Sequence, residues 1–339
     1  MKKVYILIFV LNCILCNAQK GIELTKTGFD IVTFPYKNGD TIEVLYSIEK
    51  EDKPALVFLQ GSLPRPLVIV EDTTFYLTNF SNFDVEKVKK HYQVFNINMP
   101  FTPAVSKLEH LTDNALFVPD KNKPNEFFID YQKANNLEYL TQRTNFAIAK
   151  LQKKFKKNNS RLVVMGHSQG AILGASLLEA NKKITDFVFL SSNPYGRYLN
   201  NFNYYYEQFS NGHITPTQYD SCVLALKKEW INAKINVNNT LKTGDSPLNI
   251  ISFSQNITNY LTNSKANIFI GYGTKDKASI GINWLHFNFL NSQKDNYIIK
   301  PYLNMEHNFF KVNLDKTDYS QSYWDNVIDD VVHWLYSNR

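Results

Sequence analysis

"VVMGHSQGAIL", residues 163–173, sets an apolar run against a Gly-X-Ser-X-Gly turn and then a series of small, helix-compatible residues. The apolar run reads as the end of a buried strand and "AILGASLLEA" from Ala171 as a helix. A chain that leaves a strand at Gly166 and enters a helix near Gln169 turns so tightly that side chains at 166 and 170 would meet neighbouring backbone. Glycine removes the collision. Such a turn holds Ser168 in a strained conformation with its hydroxyl lifted off the sheet edge, while the Gln169 N–H at the helix start faces the same space. Ser168 is therefore a candidate nucleophile.

Around this turn, short apolar runs alternate with helix-length segments. They are "ALVFLQ" from Ala55, "YQVFNINM" from Tyr92, "RLVVMG" from Arg161, "DFVFLSS" from Asp186, "NIFIGYG" from Asn267 and "NYIIKPYL" from Asn296. The alternation implies a parallel sheet covered by helices on both faces. Two earlier segments, "FDIVTFPY" from Phe29 and "TIEVLYSI" from Thr41, flank Lys37-Asn38-Gly39-Asp40 and read as an antiparallel hairpin, which brings the expected total to eight strands. Leu137, Leu140, Ile148, Leu151 and Phe155 recur at helical spacing, as do Trp324, Ile328, Val331 and Leu335. The lysine-rich "KLQKKFKK", residues 150–157, reads as a solvated helix face.

Two stretches interrupt the alternation. Residues 101–136 hold Pro103, Pro119 and Pro124 with little periodicity, and a loop of that length is a candidate wall of a site. Residues 197–265 read as a helical insertion between two sheet strands. One of its helices opens at Thr215-Pro216-Thr217-Gln218, a capping-box pattern, and another follows Ser246-Pro247.

With 339 residues, 44% hydrophobic and 14% aromatic, the chain can bury one large core, and one domain with insertions is expected. Residues 1–18 have the charged, apolar and small-residue parts of a secretory signal, so residues 19–339 are expected as the exported domain. Neither Cys13 nor Cys16 follows a small residue, which favours cleavage after Ala18 over a lipid anchor. Only Cys222 would then remain, excluding an intramolecular disulfide and a cysteine-based metal site. The formal charge of +6 drops to +4 without Lys2 and Lys3, too mild an excess to point to nucleic acid. No later segment reaches the roughly 20 apolar residues of a membrane span.

A serine hydroxyl becomes a useful nucleophile only when an imidazole takes its proton, and the imidazole needs a carboxylate to orient it. Two strand ends carry such groups. Thr274-Lys275-Asp276 follows "NIFIGYG", and "NMEHNFF", with His307, follows "NYIIKPYL". Here the sequence resembles the α/β-hydrolase family, through Gly166-His167-Ser168-Gln169-Gly170 and through an order of strands and helices that can be followed from about Phe29 to Tyr336. The resemblance implies a sheet of eight mostly parallel strands and a triad in the chain order Ser168, Asp276, His307.

The resemblance also implies two backbone donors for a developing oxyanion: the Gln169 N–H and one from the loop after the third strand. That loop reads Gln60-Gly61-Ser62 where the family often has His-Gly, which makes the Ser62 N–H the second donor and Gln60 and Gly61 candidate substrate contacts. The insertion at 197–265 lies where the family commonly carries a lid, and Tyr195 and Tyr198 stand at its entrance as further candidate contacts. Arg65, between Pro64 and Pro66, is either a solvated charge or an anchor for an acidic substrate group. Among the other histidines, His167 is expected to be structural or to line the pocket, while His286 and His333 are expected on helices; Glu306 is expected at the surface.

The expected activity is that of an exported serine hydrolase, free of metal and cofactor, that cleaves a small-molecule carboxylic ester through an acyl-enzyme. A peptidase of the same fold and a non-catalytic binding protein on this scaffold are the alternatives.

Overall fold

The eight apolar runs pair into one sheet in the computed structural model, which describes residues 24–49, 52–80, 82–157, 161–314 and 316–338. The secretory signal read at residues 1–18 lies outside the described residues. The strands are β1 (Phe29–Pro35), β2 (Thr41–Ser47), β3 (Ala55–Leu59), β4 (Gln93–Ile97), β5 (Leu162–His167), β6 (Asp186–Leu190), β7 (Asn267–Gly273) and β8 (Tyr297–Tyr302). Their spatial order is β1-β2-β4-β3-β5-β6-β7-β8. β2 runs antiparallel to both β1 and β4, and every other pairing is parallel. The hairpin turn uses Asn38 and Gly39 at φ 60° and 78°, the left-handed conformation these two residues tolerate best.

Alternate residues of each central strand enter opposite cores. Val57, Val164 and Phe187 pack on one face with Ile148 of α3 (Leu137–Lys154) and Leu177 of α4 (Gln169–Ala180). Phe58, Met165 and Val188 pack on the other with Val327 and Ile328 of α10 (Trp324–Ser337), beside the short α1 (Glu86–Lys89). All four residues of the expected C-terminal stripe are buried. With both faces covered, chemistry is left to the loops at the strand ends, and the order places the end of β3 beside the end of β5.

One corner of the first core is ionic. Arg143 of α3 is 1% exposed and donates from Nε to Asp40 Oδ2 at 2.6 Å, from Nη1 to the Asn98 carbonyl at 2.6 Å, and from Nη2 to Asn98 Oδ1 at 2.8 Å and the Thr41 carbonyl at 3.1 Å. Tyr139 donates to the same Asp40 carboxylate at 3.1 Å. This cluster fastens α3 to the hairpin.

Two expectations need correction. Residues 101–136 are not a bare loop: Val105–Lys107 pairs in parallel with Val68–Glu71, which itself forms a ribbon with Thr74–Leu77, and Ile129–Ala134 is a helix, α2. The lysine run is not wholly a solvated face either. α3 ends at Lys154, Lys156 turns the chain at φ 55°, and the buried Lys157 swings back to pair with the exposed Asp52 and to donate to the Lys53 carbonyl.

The insertion between β6 and β7 holds α5 (Leu199–Ser210), α6 (Pro216–Ile235), α7 (Pro247–Ser252) and α8 (Thr258–Thr262). Thr215 and Gln218 form the expected capping box, and the Ser246 hydroxyl caps α7. α9 (Leu285–Asn291) follows β7. No helix among the described residues is long and apolar enough to cross a membrane.

Candidate active site

At the end of β5, Ser168 has φ 57° and ψ −124°, a backbone conformation that a non-glycine residue keeps only when its surroundings impose it. They do so through packing. A Cβ on Gly166 would collide with the Gly170 carbonyl, and one on Gly170 with the carbonyls of Leu59 and Gln60 on the neighbouring strand end. The Ser168 N–H is held by the Leu190 carbonyl of β6 at 3.0 Å. The turn thus has no room to relax.

The ends of β7 and β8 bring in the other two groups. His307 Nε2 lies 2.9 Å from Ser168 Oγ, and its Nδ1 lies 3.1 Å from each oxygen of Asp276. The Asp276 side chain is 1% exposed and accepts from the Ala278 N–H at 2.8 Å and from the Ser279 hydroxyl. Burial alone would raise its pKa, but the hydrogen bond and charge of His307, with those two donors, outweigh burial and hold the carboxyl below its ordinary range. Burial likewise works to lower the pKa of His307. The hydrogen bond and charge of Asp276, with the charge of Glu306, overcome it and raise the imidazole above its ordinary value. An ionised Asp276 keeps the proton on Nδ1, which leaves Nε2 to accept from the serine hydroxyl.

His167 and Glu306 secure the His307 loop from either side. Burial, together with the charge of His307, pushes the His167 imidazole down to about 4, so it is neutral at pH 7 and donates from Nε2 to the His307 carbonyl at 2.9 Å. Glu306, expected at the surface, is partly exposed there and accepts from the N–H groups of Asn308 at 2.8 Å and Phe310 at 3.0 Å. His286 and His333 lie exposed on α9 and α10.

The turn after β3 overhangs the serine: a Cβ on Gly61 would lie 3.9 Å from Ser168 Cβ. Among the described residues, neither the Ser62 N–H nor the Gln169 N–H has a hydrogen-bond partner. Their residues are cross-braced by side chains that sequence reasoning did not single out. Gln169 Nε2 donates to Asn135 Oδ1 at 3.1 Å, Asn135 Nδ2 donates to the Tyr131 hydroxyl at 3.1 Å, and that hydroxyl donates to the Ser62 carbonyl at 2.6 Å. Tyr131 and Asn135 both belong to residues 101–136, which therefore stiffen the site from behind instead of walling it. Gln60 is fixed as well, with Oε1 accepting from Asn79 Nδ2 at 2.6 Å.

Ser168 and His307 open into a cavity of about 320 Å³, walled by the Gln60-Gly61-Ser62 turn, Arg65, Asn79, Asn308 and Trp324. Neither Tyr195 nor Tyr198 lines it. The Tyr195 hydroxyl accepts from Asn288 of α9 at 2.9 Å, and Tyr198 is turned into the insertion, donating toward the Leu226 carbonyl and Glu229 of α6, each at 2.8 Å. Both rings fasten helices together. A second hollow of about 850 Å³ lies between α5 and the loop after β7; it reaches His307 and Asp276 but not Ser168.

No family model and no curated protein matches the sequence. Solved structures do match. A thermostable carboxyl esterase from Bacillus coagulans, crystallised with glycerol, aligns over 91% of this chain and 98% of its own, with 10% identity and a TM-score of 0.54. A candidate dipeptidyl aminopeptidase IV from Bacteroides ovatus aligns over 91% of this chain and 35% of its own, with 12% identity and a TM-score of 0.53. At such identities the likeness is one of architecture. Together with the strand order and the strained turn at Ser168, it identifies the fold as that of the α/β-hydrolase superfamily.

Proposed function

We propose that the protein is an exported serine hydrolase acting on a carboxylic ester. The reading is carried by one observation: Ser168, His307 and Asp276, which reach the site from three separate strand ends, form a continuous hydrogen-bonded chain. In that arrangement His307 Nε2 takes the hydroxyl proton as Ser168 Oγ attacks the ester carbonyl. The carbonyl oxygen becomes negative and is met by the unpartnered N–H groups of Ser62 and Gln169, each worth roughly 3 kcal/mol when preorganised. Collapse of the tetrahedral species breaks the bond to the alcohol, which leaves with the proton from His307. Water then repeats the sequence on the acyl-enzyme and frees the acid. Asp276 stays ionised throughout and stabilises the imidazolium. Export rests on the charged, apolar and small-residue pattern of residues 1–18.

The test is covalent labelling. A fluorophosphonate probe should add one adduct at Ser168 and none to the Ser168→Ala protein, and p-nitrophenyl esters should be turned over. Absence of labelling, or cleavage confined to aminoacyl p-nitroanilides, would overturn the ester reading.

A further inference from the structure

The walls of the Ser168 cavity carry an imbalance. Gln60 is 8% exposed, yet its Nε2 has no partner among the described residues; the same holds for Trp324 Nε1, in a side chain 2% exposed, and for Arg65 Nε. All three are buried donors, and all three line the one cavity. Unpaired buried donors are costly, and all three belong to residues that wall this one space.

The charge points the same way. Among the described residues, Arg65 contributes the cavity's only cationic side chain apart from its histidines, and no Asp or Glu lines the space. Its side chain makes one hydrogen bond among the described residues, from Nη2 to the Asn114 carbonyl at 3.2 Å, which leaves the charge unneutralised, and burial pulls its pKa below the ordinary value. Pro64 and Pro66 are buried on either side, and the Pro64 carbonyl is fixed by the Phe117 N–H at 2.9 Å. The guanidinium is thus presented by a stiff loop three residues beyond Ser62.

Building on the ester-hydrolase reading above, we propose that the site takes esters bearing a carboxylate, with Arg65 binding that group. One guanidinium with no lysine beside it matches a singly charged group better than a phosphate. The carboxylate could belong to the acyl half, as in half-esters of dicarboxylic acids, or to the alcohol half, as in esters of hydroxycarboxylic acids; the chemistry of recognition is shared.

Matched substrates test this. p-Acetoxybenzoate against p-acetoxybenzamide places the charge on the leaving group, and p-nitrophenyl hemiadipate against p-nitrophenyl heptanoate places it on the acyl chain. The charged member of at least one pair should be favoured about 10- to 100-fold in kcat/KM, the usual worth of a charged hydrogen bond. Arg65→Gln should bring that ratio close to unity, Arg65→Lys should retain part of it, and added salt should shrink it. No preference for charge in either pair, or a preference that survives in Arg65→Gln, would overturn the proposal. If neutral esters are turned over and Ser168 is labelled while the preference is missing, the hydrolase reading stands and only the carboxylate assignment falls. If nothing is turned over, calorimetry with p-acetamidobenzoate and p-acetamidobenzamide decides: tenfold tighter, Arg65-dependent binding of the acid supports the assignment, and equal affinities reject it.

Discussion

Arg143 and Arg65 occupy opposite kinds of place in this molecule. Arg143 is fully enclosed, and its donors are taken up by Asp40, Asn98 and the Thr41 carbonyl. Arg65 is half-buried, its side chain holds one carbonyl, and among the described residues it meets no carboxylate. The first is a fastening whose removal would strand a buried charge; the second is a charge kept waiting. The difference separates the interior corner, where every polar group is satisfied, from the cavity at Ser168, where donors are left over. Satisfied polar groups hold the interior corner together, and the free charge of Arg65 is what the cavity offers to a bound molecule.

The contrast has measurable consequences. The largest is at Ser168: its replacement by alanine should lower ester turnover on the order of 10⁵-fold or more while leaving the urea midpoint essentially in place. A midpoint that collapses with the activity would put Ser168 in the fastening class. Next, Arg143→Met should cost about 3–5 kcal/mol in urea unfolding, because Asp40 is left buried without its counter-charge. The double change with Asp40→Asn should recover much of that loss, and the remaining folded enzyme should keep its turnover. Arg65→Met, by contrast, should shift stability by less than about 0.5 kcal/mol. A cost comparable to that at Arg143 would remove the distinction altogether.

Proton titration gives a further expectation. With its pKa raised above 6.5, His307 loses its capacity to accept the serine proton as pH falls through that raised value, so kcat/KM should drop about tenfold per pH unit on the acid side. A profile flat down to pH 4 would contradict the assigned role. Stability runs the other way for the same group. A raised pKa contributes stability that is present below the unfolded value and is lost as pH rises through the folded one. Asp276, held low, contributes stability that disappears only as pH falls through its own folded value. A cost below that at Arg143 is expected at Tyr198→Phe, about 1 kcal/mol of stability from the bonds to Leu226 and Glu229, with kcat/KM unchanged.

Much of the architecture was legible in the sequence because burial on both sheet faces demands continuous apolar runs, and each of the eight runs became a strand. The turn at Ser168 was legible for a local reason: two glycines mark where backbone must pass close. The relation of Asp276 and His307 to it came from their strand-end positions and from the family resemblance. What escaped were pairings that span distant sequence. The ribbon strands at Val68–Glu71 and Val105–Lys107 are too short to show a period, and Lys157 left its helix through a turn the lysine run conceals. Asp40 and Arg143 stand about a hundred residues apart, and neither announces its partner. The unsatisfied state of Arg65, Gln60 and Trp324 could not be read at all, since lacking a partner is a property of the whole fold. Tyr195 and Tyr198 were placed at the site by their position at the start of the expected lid and by their aromatic character, and aromatic rings pack helices at least as readily.

His307 borders two hollows, the one it shares with Ser168 and the larger one beneath α5. A bound ester can fill the first without covering the second. The loop that carries His307 therefore faces open space on two sides, toward Ser168 and toward α5.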